Sequence, residues 1–60
     1  MAMAQYRALH PKTRADLLAG LPAIIKATED RGSYILAARM LIFYARLLQV
    51  EEELFCARAE

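Results

Sequence analysis

The side chains with chemistry to offer are few: one histidine, His10; one cysteine, Cys56; and three consecutive carboxylates, Glu51, Glu52 and Glu53. A structural zinc site draws on about four Cys or His ligands. His10 and Cys56 stand alone and far apart, so no metal set is expected, and one cysteine cannot form an intrachain disulfide. A thiol or hydroxyl nucleophile needs a base within hydrogen-bond reach. His10 precedes Pro11 in an expected loop, with no nucleophile placed beside it. Successive residues on a helix turn by roughly 100°, so the three glutamates point in three directions and form no acid–base pair. No catalytic residue and no cofactor is expected: the sequence does not read as an enzyme.

The cations argue in the same direction. Eight basic residues oppose seven acidic ones, whereas a phosphate-gripping protein concentrates a basic excess on one face. Arg7, Lys12, Arg14 and Lys26 are the set that a nucleic-acid-binding alternative would use. A helix-turn-helix with its turn at Gly20 would present Lys26, Thr28 and Arg31, but beside Glu29 and Asp30, which repel phosphate. Nucleic acid is therefore not the expected partner.

Both His10-Pro11 and Arg31-Gly32-Ser33 interrupt helical pattern, so the sequence predicts an all-α hairpin within a single small domain, residues 1–60. Residues 1–11 form an N-terminal arm or short helix. A first helix covers about residues 13–31, with Thr13 and Asp16 as a variant capping box. Pro22 falls inside it, yet Leu17, Leu21, Ile24 and Thr28 keep helical spacing across the proline, with Leu18 and Ile25 beside them. A kinked but continuous helix is expected, and two short helices are the alternative. Gly32 supplies a left-handed stop and Ser33 the next cap. The second helix then runs over about residues 33–58.

That long helix is apolar over half its circumference. Leu36, Met40, Phe43, Leu47, Val50 and Leu54 alternate spacings of four and three, the pattern of a coiled-coil seam. Beside them run Ala37, Leu41, Tyr44, Leu48 and Phe55. A membrane span needs about 20 apolar residues in a row, and Arg39 and Arg46 interrupt this one. A chain of sixty residues buries only about 60% of its unfolded surface, and its core rarely contributes more than roughly 3–5 kcal/mol unaided.

Oligomerisation is the remaining support. The expectation is a homodimer, an antiparallel four-helix arrangement with Leu36, Met40, Phe43, Leu47, Val50 and Leu54 at the contact between chains. Centred near Leu47, that pairing brings Arg39 close to Glu53 of the other chain. Leu17, Leu21, Ile24, Ile25, Leu41 and Leu48 would form the intrachain core. Arg39, Tyr44, Arg46 and Phe55 are the candidates for meeting a second protein, since Tyr and Arg are frequent binding anchors. Met3, Tyr6 and Leu9 offer another cover for the far end of the long helix.

The function expected from this pattern is a small helical interaction module, a regulator, inhibitor or adaptor, with an obligate subunit or small chaperone as a further alternative. No apolar leader is visible in residues 1–10, so a cytoplasmic protein is expected. The bias to Arg over Lys suits a bacterial or phage origin.

Overall fold

The computed structural model describes residues 2–59, with side chains through residue 57. Three α-helices and no strand form among them: α1 (Met3–Arg7), α2 (Pro11–Asp30) and α3 (Tyr34–Ala59). Helices α2 and α3 make the expected hairpin, and α1 folds back onto α3. The result is a rod of 43 × 18 × 17 Å.

Helix α2 starts at Pro11 rather than at residue 13. His10, expected in a loop, is its N-cap: Nδ1 accepts from the Lys12 backbone N–H at 3.1 Å. Pro11 then occupies the first helical position, where its missing N–H loses nothing and its fixed φ suits the helix. The capping role expected of Thr13 is thereby displaced into the first turn. Helix α2 also runs unbroken through Pro22, so the alternative of two short helices with a turn at Gly20 does not form. A proline inside a helix costs about 3 kcal/mol. What offsets it is tertiary: Leu18, Leu21, Ile25 and Thr28 line one side of α2 and are buried or half-buried against α3.

The turn is a Schellman closure. Gly32 has φ +83°, the Gly32 N–H donates to the Glu29 carbonyl at 2.8 Å, and the Ser33 N–H donates to the Thr28 carbonyl at 3.1 Å. Helix α3 begins at the next residue, with the Ala37 N–H donating to the Ser33 carbonyl at 2.9 Å.

The core reverses the expected roles of the two rows on α3. Leu47 is 1% exposed and, with Val50 and the wholly buried Tyr6, centres the core; Phe43 and Leu54 pack against it with Met3, Leu9, Leu18 and Leu21. The seam assigned to a second chain is thus largely covered from within, by α2 and α1. Leu36 is its exception and is exposed. Conversely, Leu17, Ile24, Leu41 and Leu48, expected in the intrachain core, are exposed, while Ile25 and Leu21 are buried and half-buried as expected. The cause is α1: by covering the sector around Val50 and Leu54, it draws the buried face of α3 toward that side.

Candidate functional site

Two features are candidates for function: a polar cluster where the three helices meet, and the outer face of α3. The cluster is built around Glu51. Its Oε1 accepts from the Tyr6 hydroxyl at 2.8 Å and from Arg14 Nε at 2.8 Å. Arg14 Nη1 also donates to the Leu9 carbonyl at 2.6 Å, in the turn joining α1 to α2. Arg14 is only 5% exposed, which is tolerable for a charge only when it is paired and hydrogen-bonded. Nearer the surface, Arg7 Nη2 donates to Glu53 Oε2 at 2.7 Å.

This arrangement ties the three helices together. The Tyr6 pKa is pushed up to about 12, first by burial, then by the hydrogen bond to Glu51 and that carboxylate's charge, with the Arg14 cation partly opposing. The hydroxyl is held protonated as a donor. The Glu51 oxygen it meets already accepts from two groups. Among the described residues the surface has no pocket beside them, and no three His, Cys, Asp or Glu residues gather as metal ligands.

Two of the charges on α3, Glu51 and Glu53, find partners across contacts within the chain. Glu53 pairs with Arg7 of its own chain. Glu51, Glu52 and Glu53 diverge: one points inward, one toward α1, and Glu52 is exposed. Of the four cations a nucleic acid would need, Arg14 is buried and Arg7 is engaged. The role of Arg14 was within reach of the sequence, because a hairpin that sets Leu17 beside Leu47 and Leu48 sets Arg14 level with Glu51 one turn on.

The outer face of α3 is the second candidate. Tyr34, Leu41, Leu48 and Phe55 recur every seven residues and are 71%, 55%, 46% and 73% exposed. Ala38 and Ala45 lie between them, also exposed. Glu52 is the one charged residue on this strip, which lies roughly 100° around the helix from Leu47. Phe55, expected to meet a partner, therefore lies on it; Tyr44 is half-buried at its edge. Arg39 and Arg46 are exposed on the opposite flank, beside Ile35 and Ile42. No helix among the described residues is long and apolar enough to cross a membrane.

The chain matches no protein-family model, and comparison with curated proteins and solved structures found no match.

Proposed function

We propose that this chain is a helical interaction module of the cytoplasm, a regulator, inhibitor or adaptor that works by presenting the outer face of α3 to another polypeptide and carries out no catalysis itself. The observation that supports this reading is the continuous row Tyr34, Leu41, Leu48 and Phe55, left uncovered while the neighbouring seam is filled from within. Scattered apolar residues are ordinary on a protein surface. A contiguous row about 32 Å long, with one charge along it, is the kind of patch that marks an interaction site.

A nucleic-acid role through Arg7, Lys12, Arg14 and Lys26 loses two of its four cations to carboxylates. An obligate subunit or small chaperone would use the same face and differ only in what occupies it. Carbene footprinting in an extract of the producing cells, repeated on the purified chain at high dilution, tests the reading. Leu41 and Leu48 should label weakly in the extract and strongly when diluted. Equal, strong labelling in both would overturn it.

A further inference from the structure

The geometry points to a second copy of this chain as the occupant of that face, docked antiparallel so that Leu41 meets the partner's Leu48 and Tyr34 meets the partner's Phe55. This rests on the interaction reading above and names its partner.

Area is the first argument. A compact chain of 6.8 kDa has an accessible surface of about 4000 Å² by the scaling of folded monomers. This chain exposes 4636 Å². The excess is of the order that one partner buries in a standard interface, about 800 Å².

Self-complementarity is the second. Reversing the row Tyr34, Leu41, Leu48, Phe55 reproduces it in kind: an aromatic residue at each end and leucines within. An antiparallel pairing centred between Tyr44 and Ala45 sets aromatic on aromatic twice and leucine on leucine twice. Ala38 and Ala45 leave room for the helices to approach. Strict spacing of seven drifts by about 20° per heptad on a straight helix, so such a row stays engaged along its length only when two helices wind round each other left-handedly.

Charge decides the polarity. A parallel pairing would place Glu52 against its own copy. In the antiparallel pairing Glu52 lies instead level with Ala37 of the partner, clear of its own copy. Among the described residues Glu52 has no ion pair within its own chain, so nothing there would offset the like-charge contact of a parallel pairing. Like charges facing each other across an interface disfavour that register and orientation.

The other flank of α3 suits a copy less well. It carries Arg39 and Arg46, and α1 already reaches it through the Arg7–Glu53 pair.

Sedimentation equilibrium of the purified full chain, with circular dichroism to confirm folding, tests this. The wild type should be dimeric at tens of micromolar. Leu41→Glu and Leu48→Glu should keep their helicity, because both positions are exposed in the single chain, and should weaken the dimer by on the order of 100-fold or more, the factor that about 2.7 kcal/mol represents. Ile42→Glu, on the far flank, should stay dimeric. A dimer that Ile42→Glu dissociates and Leu41→Glu does not overturns the assignment of the face. A folded wild-type monomer overturns the self-pairing; if the row is still protected in the extract, the interaction reading survives, and if it is open in both samples, that reading fails too.

Discussion

Tyr6 and Glu51, forty-five residues apart, are joined by a hydroxyl–carboxylate hydrogen bond of 2.8 Å that ties the shortest helix to the longest. Tyr6 is wholly buried and Glu51 lies at the rim of the core. Its ring packs beside Leu47 and Val50 while its hydroxyl leaves the apolar region at the one point where a carboxylate waits. Covering that sector of α3 is what makes the inner seam a property of the single chain.

The Tyr6 pKa is raised, so the fold favours the protonated hydroxyl. The stability this contributes is fully present below the ordinary tyrosine value near 10 and is lost as pH rises through about 12. Tyr6→Phe keeps the ring and removes the hydroxyl. At neutral pH it should be less stable by about 1.5–3 kcal/mol, the range for a hydrogen bond to a charged group. The gap between the two proteins should close between those two pH values. Urea denaturation across alkaline pH measures it; a constant gap would contradict the hydrogen bond's role.

Three adjacent glutamates should respond differently to replacement by alanine. Glu51→Ala strands a buried guanidinium and the Tyr6 hydroxyl, and losing one partner of a buried pair costs about 3–5 kcal/mol. That equals the whole stability available to a chain this small, so the variant should be largely unfolded by circular dichroism. Glu53→Ala removes a pair whose side chains are 45% and 60% exposed and should cost no more than about 1 kcal/mol. Glu52→Ala should leave the single-chain fold unchanged. Equal effects at all three positions would refute the arrangement around Glu51.

His10 is testable as a cap. His10→Ala should destabilise by about 1 kcal/mol, while His10→Asn, which restores a side-chain acceptor, should recover most of it. Thermal unfolding of the pair decides it. Identical midpoints would mean that the Nδ1 acceptor contributes nothing.

Cys56 is exposed but stands far from the centre of the inferred pairing. The two copies would be roughly 35 Å apart along the helices, against the 7 Å or so that a disulfide tolerates. Mild oxidation should therefore yield little cross-linked protein that retains the native dimer, as judged by non-reducing gels of gel-filtered material. Rapid and complete cross-linking would indicate a parallel pairing.

The hairpin was legible because its signals are local: a glycine that must take positive φ, a serine after it, and apolar spacing that continues through Pro22. The start of α2 was less so. His10 accepts from the Lys12 N–H, yet a histidine before proline reads as loop. The partition of the rows on α3 was the least legible, because helical spacing reports that two rows are apolar and not which one a five-residue helix will cover. Tyr6 carried the signal: a large apolar ring with a polar tip, followed by Arg7, on a segment of the right length to reach Glu51 and Glu53. Hairpin register extended one turn past Leu17 also brings Arg14 to Glu51, so the polar cluster lay within reach of the same arithmetic.

Helix α3 has two faces, with Leu47 packed in the chain's own core and Leu48 on the exposed face proposed to meet a partner. The most direct test is the urea midpoint of the wild type, Leu47→Ala and Leu48→Glu, each measured over a wide range of chain concentration. For the wild type the midpoint should rise with concentration, as mass action requires of a dimer. Leu47→Ala should lower it by an amount corresponding to about 2–5 kcal/mol even at the dilute end, where chains are separate. Leu48→Glu should match the wild type at the dilute end and show no rise. A Leu47→Ala loss that vanishes on dilution, or a Leu48→Glu loss that persists there, would contradict the claim.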